Sequence, residues 1–251
     1  MDYLYGIHAV DGLLRSNPGG VRKLWLQAGR NDRRVSALEE LARAQGIPVL
    51  REARAELDER VSGRHQGVVA EVSGQHAGGS NLWSEKELLR ALAERPGPAL
   101  LLVLDGVTDP HNLGACLRSA DAAGVDAVVV PRDRAADLTP VVRKVACGAA
   151  ETVPFVRVTN LSRTLKALKD AGLWLYGTDG KAEKSIYDND LTSPLALVMG
   201  AEGKGLRRLT RDNCDILVQL PMAGAVSSLN VSVAAGVCLF EAVRQRLPGR
   251  Q

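Results

Sequence analysis

Apolar residues along the chain fall into two alternating patterns. Short, nearly unbroken apolar runs predict buried strands: LWLQ at 24–27, IPVL at 47–50, GVVAEV at 67–72, LLVLD at 101–105, DAVVV at 126–130, LWLYG at 173–177, LALVMG at 195–200 and DILVQL at 215–220. Between them lie stretches of helical period at 7–14, 32–45, 53–60, 84–94, 112–123, 141–147, 161–171 and 231–243. Several carry their own start and stop signals. Asn31 or Asp32 caps the helix at 32–45 and Gly46 ends it; Ser84 and Glu87 have capping-box spacing; Thr139-Pro140 reads as a cap followed by a proline at the first helical position. Continuous apolar strands separated by helices imply an α/β fold with a parallel sheet covered on both faces.

The alternation is interrupted once, by SGQHAGGSN at 73–81, whose Gly and Ser content predicts a flexible linker; RPGP at 95–98 then punctuates the chain. The expected organisation is a small α/β domain over 1–74, a linker with a short helix over 75–98, and a larger α/β domain over 99–251.

Composition narrows the class. With 45% hydrophobic and 24% charged residues in 251, the chain reads as a folded globular protein, while 4% aromatics leave few platforms for stacking bases. The four cysteines form no paired motif, which argues against a zinc site or a disulfide framework and for reduced thiols. The first residues, MDYLYGIHAV, lack a leader's basic and apolar regions, and no run is long enough to span a bilayer, so a cytoplasmic location without membrane attachment is expected. The net charge of +3 is mild but unevenly placed. Residues 1–77 hold eleven Lys or Arg against ten Asp or Glu, yet Arg22, Lys23, Arg30, Arg33 and Arg34 cluster with Asp32 alone opposing them. Lys204, Arg207, Arg208 and Arg211 form a second cluster beside a glycine-rich loop. Two such clusters point to a phosphate-rich partner.

Three segments carry candidate chemistry. In DGVTDPHNLGACLRSA (105–120), which joins a strand to a helix, Asn112 sits where it can cap the helix or reach out of the loop, and Arg118 lies about a turn and a half further on. LVMGAEGKGL (197–206) follows a strand with glycines that let backbone approach a ligand closely, but it fits neither the dinucleotide fingerprint nor the P-loop. PMAGAVSSLNVSVAAGVCLFEAV (221–243) places Ser227, Ser228 and Asn230 at the start of an apolar helix, more polar chemistry than one cap requires. All three lie at strand carboxyl ends, where open α/β sheets place ligands.

In this order and spacing, NLGACLR (112–118), VMGAEGKGL (198–206) and LPMAGAVSSLNVSVA (220–234) resemble the motifs of the SPOUT class of RNA methyltransferases, specifically the TrmH-like ribose 2′-O-methyltransferases. YGIHAV (5–10) and RHQGVVA (64–70) are similar to the L30e-like RNA-binding domain of the bacterial 23S rRNA guanosine-2′-O-methyltransferases. The resemblance implies a C-terminal trefoil-knotted domain, with the small residues Ala223, Gly224, Ala225, Ser227 and Ser228 where backbones cross closely. It implies S-adenosylmethionine as cofactor, bound in a bent form around Thr178, Gly200, Leu220, Met222 and Leu229, and no metal. It places Arg118 at the target hydroxyl, acting with the substrate phosphate, while Asn112, Glu202, Ser228 and Asn230 position ribose, arginine and cofactor; Glu202 alternatively holds the loops by accepting backbone hydrogen bonds. Arg22, Lys23, Arg30, Arg33, Arg34, Lys204 and Arg207 are the candidate RNA contacts. The implied partners are 23S rRNA or a large-subunit precursor, and a second copy of the chain through the C-terminal domain. Three alternatives stand beside this one: the same chemistry on tRNA, a non-catalytic RNA-binding dimer, and a nucleotide-dependent oxidoreductase, which the missing G-x-G-x-x-G disfavours.

Overall fold

The computed structural model describes residues 2–16, 18–61, 65–72, 81–201 and 203–247. The chain forms two compact units, one of residues 1–81 with 147–152, the other of 82–146 with 153–251.

The first unit carries β1 (Asp2–Tyr5), α1 (Ile7–Ser16), β2 (Val21–Gln27), α2 (Arg33–Ala44), β3 (Val49–Glu52), α3 (Arg54–Arg60) and β4 (Val68–Val72). Its four-stranded sheet has the order β1-β4-β2-β3, with β2 and β3 parallel and the other pairs antiparallel. One face buries Leu24, Leu26, Val68 and Ala70 against α1 and α2; the other buries Trp25 and Val69 with Leu57. That alternation is the period of two expected of a sheet covered on both sides. Asp32 caps α2, accepting from the backbone N–H groups of Arg34 and Val35. Tyr3 packs edge-on to Trp25 with ring centroids 5.9 Å apart, so it serves the core.

The second unit carries β5 (Leu82–Trp83), α4 (Glu85–Glu94), β6 (Leu100–Asp105), α5 (Pro110–Ala122), β7 (Ala127–Pro131), α6 (Pro140–Ala146), β8 (Phe155–Val158), α8 (Leu161–Asp170), β9 (Trp174–Thr178), β10 (Lys184–Ser185), β11 (Leu195–Gly200), α9 (Arg208–Asn213), β12 (Ile216–Gln219) and α10 (Val231–Arg246); the short α7 (Ala149–Thr152) is counted with the first unit. All neighbours in its eight-stranded sheet, β10-β12-β9-β11-β6-β7-β8-β5, are parallel. The apolar runs of β6 and β7 are buried at every position, as strands covered on both faces must be. Leu101, Val103, Val129, Val156 and Val198 pack with Leu165 and Leu168 of α8 and Leu88 of α4. Thus α4, read from sequence as part of a linker, sits in this core, and β5 pairs with β8.

Two local expectations are corrected. Asn112 is not the cap of its helix: Asp109 is, accepting from His111 N–H, with Pro110 at the first helical position. The small residues 223–228 are not at a tight crossing either; they are exposed, and a Cβ on Gly224 would meet nothing within 4 Å. The close approaches lie elsewhere, at Gly200 and Gly177.

Candidate functional site: a cleft at the carboxyl edge of the parallel sheet

β9, β11 and β12 end side by side in the sheet, and the loops that follow them enclose a cleft of about 710 Å³. Thr178, Gly200, Leu220, Met222 and Leu229, expected at a cofactor, all line it, as do Ser228, Asn230 and Lys204. Its walls combine glycine backbone, apolar side chains and polar ones such as Thr178, Asp179, Gln219 and Asn230, and its volume suits a ligand of nucleoside-and-amino-acid size. The size of this cleft and the presence of Leu220, Met222 and Leu229 beside glycine backbone are compatible with S-adenosylmethionine.

The glycine loop after β11 is a folded unit. Ala201 and Gly205 exchange two backbone hydrogen bonds, of 3.1 and 2.9 Å, and Gly203 and Gly205 take the positive φ values of 72° and 64° that glycine adopts without strain. This fold presses the Gly205–Leu206 backbone onto Gly200. A Cβ on Gly200 would lie 2.5 Å from the Gly205 carbonyl oxygen and closer still to the Gly205 carbonyl carbon and the Leu206 nitrogen. Gly200 is paired in register with Asp105 at the end of β6. Asp105 is fully buried, and its carboxylate accepts from Arg207 N–H at 3.0 Å and Arg207 Nε at 2.5 Å, with Arg207 Nη2 also in contact. Arg207, expected to contact RNA, is thus committed to anchoring the far end of the glycine loop. Sequence reading missed Asp105, although a carboxylate closing the all-apolar run LLVLD was a visible signal.

On the opposite wall, Asn230 caps α10 by accepting from Ser232 N–H at 2.9 Å, and its amide donates to the Oδ1 of Asn112 at 2.9 Å. Asn112 is buried in the first turn of α5 and reaches the cleft through this bond. Arg118 is exposed on α5 and is not part of the cleft lining. Glu202 lies outside the described residues. Asp179, a lining residue that sequence reading did not single out, is paired with Arg211 at 2.8 Å; that guanidinium, with the Lys181 N–H, holds its carboxyl below the usual carboxylate range.

Residues 99–240 match the SpoU rRNA Methylase family, and residues 3–77 match the RNA 2′-O ribose methyltransferase substrate-binding family. The chain belongs to the SpoU rRNA methylase family. It is 60% identical over 246 residues to the 23S rRNA (guanosine-2′-O-)-methyltransferase RlmB of Pseudomonas putida, covering 98% of this chain and 97% of that one. Among solved structures it is similar to the SpoU methyltransferase AviRb of Streptomyces viridochromogenes in complex with AdoMet, with 30% identity, a TM-score of 0.74, and 98% and 91% of the two chains covered. The A. aeolicus TrmH/SpoU tRNA modifying enzyme, at 30% identity and a TM-score of 0.56, covers 64% of this chain and 84% of its own.

Within this SpoU chain, the basic residues of the first unit divide by what they touch. Arg22, Arg33 and Arg34 are exposed, the first on β2 and the others in the first turn of α2. Lys23 stands 5.5 Å from the Trp25 ring centroid. Arg30 is tied to Asp32 at 2.6 Å and to the Gln66 carbonyl. His65 is buried between the Asp58 carboxylate and the Gly67 N–H, a structural placement. Among the described residues no helix is long and apolar enough to cross a membrane.

Proposed function

We propose that this chain methylates the 2′-hydroxyl of a guanosine ribose in 23S rRNA, using S-adenosylmethionine. The observation that carries this reading is the convergence of Thr178, Gly200, Leu220, Met222, Leu229, Ser228 and Asn230 on one cleft at the carboxyl ends of three parallel strands. The substrate is supported by the likeness to the Pseudomonas putida rRNA enzyme, which runs through both compact units, against 64% coverage for the tRNA modifying enzyme.

When bound, the cofactor supplies an electrophilic methyl group on a sulfonium. The chain must do the rest. A ribose hydroxyl is almost fully protonated at neutral pH, so its proton must be shared while the oxygen is held in line; these effects typically contribute about 10²–10⁴-fold and more. Arg118 is always charged and cannot serve as a lone base; its guanidinium holds the hydroxyl together with the adjoining RNA phosphate. Ser228 and Asn230 orient the ribose, and Asn112 fixes the Asn230 amide through their shared hydrogen bond. Glu202 completes this set. Lys204 at the cleft and Arg22, Arg33 and Arg34 on the first unit meet RNA phosphates, with Lys23 and Arg30 beside them.

A homodimer through the second unit is part of the same reading. Val233, Phe240 and Leu247 are exposed, the first two on the outer face of α10 and Leu247 just past its end, a stripe at seven-residue spacing that supports burial against a second copy. Knotted threading of the segment around β12 and α10 belongs to it too. Transfer of a labelled methyl to unmodified 23S rRNA tests the function. The wild type is expected to label a guanosine 2′-oxygen, with Arg118→Ala folded, cofactor-competent and at least about 100-fold slower. Labelling of tRNA alone would overturn the substrate; labelling of no RNA would overturn the chemistry.

A further inference from the structure

We propose that the loop joining β7 to α6, residues 132–139, is a second RNA-binding edge of the catalytic unit, in which Arg132 and Arg134 take backbone phosphates of the strand that delivers its ribose to the cleft. The proposal rests on the methyl-transfer reading above and adds a site to it. Four observations carry it.

The first is position. β7 neighbours β6 in the parallel sheet, so this loop leaves the same carboxyl edge as the cleft. Gly106, the first residue beyond β6, marks the distance: a Cβ there would lie 3.6 Å from the Cβ of Ala201 in the glycine loop and 3.9 Å from the carbonyl oxygen of Arg134. The two loops therefore flank one residue.

The second is rigidity. Arg132 N–H donates to the Val158 carbonyl and Ala136 N–H to the Val107 carbonyl, each at 2.8 Å, and Asp137 is locked to Arg157 at 2.7 Å. A loop held at both ends and its middle presents its side chains at fixed places, which reduces the ordering cost of binding.

The third is backbone conformation. Arg134 has φ of 57°, a left-handed setting uncommon for a long side chain and found where surrounding structure enforces it, often at binding sites.

The fourth is charge. Two arginines elsewhere on this edge are engaged, Arg207 by Asp105 and Arg211 by Asp179, while Arg208 is exposed at the start of α9. Arg132 and Arg134 are exposed, and among the described residues neither has an ion-pair partner; Asp137 is taken by Arg157, leaving Asp133 between them as the nearby acid. The loop has no aromatic residue, so it cannot stack bases. Guanidinium groups without stacking partners suit phosphate oxygens, which fix the register of a strand and carry no sequence information.

The test compares wild type with Arg132→Ala/Arg134→Ala and with Lys86→Ala/Arg90→Ala, an equal charge loss on the exposed side of α4. Affinity for an unmodified 23S rRNA fragment is measured across salt concentrations, with AdoMet affinity and steady-state kinetics alongside. At about 0.7 per single-strand phosphate contact, the loop variant should lower the salt slope by about 1.4 and raise KM for RNA about tenfold. AdoMet affinity should hold and kcat should stay within about twofold. Arg132→Lys/Arg134→Lys should recover most of the slope. The proposal is overturned if the loop variant matches the α4 control in slope and KM, or if its AdoMet affinity collapses, which would make the loop a cofactor support. A wild type that binds AdoMet but neither binds nor methylates RNA would overturn the functional reading itself, and this site with it.

Discussion

Replacing Gly200 by alanine should damage the cofactor cleft more than any other single methyl group added to its loops. The new Cβ would stand 2.5 Å from the Gly205 carbonyl oxygen and closer still to its carbonyl carbon, where ordinary contact begins at 3.4 Å, so the facing backbone must retreat by more than about 1 Å. The retreating atoms belong to Gly205, whose N–H and carbonyl make both hydrogen bonds to Ala201. Losing that pair costs about 1 kcal/mol per bond, and residual crowding adds about 1–3 kcal/mol. A total of about 3–5 kcal/mol divides between fold and ligand. Because the loop is exposed at Gly203, Lys204 and Gly205, a small shift can be taken up there, outward or into the cleft, while Arg207 stays on Asp105. Most of the cost should then appear in binding, as a rise in AdoMet Kd of about 100-fold for each 2.7 kcal/mol or so, with Tm lower by a few degrees. Calorimetric titration and thermal melting with and without AdoMet read the two parts. Gly224→Ala is the control, since its Cβ meets nothing within 4 Å and should change neither quantity. Gly200→Ala with wild-type Kd and Tm would refute the claim that this close approach builds the cleft.

Three further outcomes follow from the same geometry. Arg207→Ala strands a fully buried Asp105 carboxylate with one backbone donor; since Arg207 is itself half exposed, the loss of stability in denaturant titration should be about 2 kcal/mol rather than the 3–5 of a sealed pair, with Arg207→Lys intermediate. Burial pushes the thiols of Cys214 and Cys238 up to about 12, and Cys116 is inaccessible, so a thiol reagent at about pH 8 should modify exposed Cys147 first and the other three on unfolding; fast modification of Cys214 would contradict its placement. Folding lowers the Asp179 pKa, so the pair with Arg211 contributes fully above the ordinary carboxylate value and is lost as pH falls through the lowered one. The stability difference between wild type and Asp179→Asn, under about 1 kcal/mol and read as a shift in Tm, should persist above the ordinary carboxylate value and fade as pH falls through the lowered one.

Much of the frame was legible because long apolar runs have few alternatives: β6, β7, β9, β11 and β12 all fall on runs read as strands, and α2, α5, α8 and α10 on helical periods. The misses have physical causes. β5 and β10 have two residues each, too short for a period to declare itself, while the four-residue β1 and β8 are broken by Asp2 and Arg157 and lack the apolar residue just beyond the end that made the equally short β12 visible. α5 begins two residues before its expected start because the Asp109-Pro110 pair caps it and outcompetes Asn112. The basic clusters misled for a different reason. Charge is visible in sequence but pairing is not: Arg207 looks like Lys204, yet one is bound to a carboxylate 102 positions away and the other lines the cleft. Motif spacing located the cleft walls, whereas the Asn112–Asn230 bond, spanning 118 positions, required the fold.

The clamp at Asp105 also bears on how the cleft meets its ligand. β6 and β11 are paired up to their last residues, placing Asp105 beside Gly200. A carboxylate with no exposure is tolerable only when hydrogen-bonded and charge-paired, and its donors come from Arg207, just beyond the glycine loop. Folding the loop and pairing the buried charge are therefore one event. Peeling the loop away to admit a ligand would break the Ala201–Gly205 bonds and draw Arg207 off Asp105 together. This wall of the cleft is accordingly formed before the cofactor arrives, and adjustment on binding falls to the opposite wall, where the lining residues Ser227, Ser228 and Leu229 are exposed and follow an exposed stretch, 223–226, with open space around Gly224. A rigid floor with a yielding lip suits a site that must grip one small molecule and then admit a strand of RNA above it.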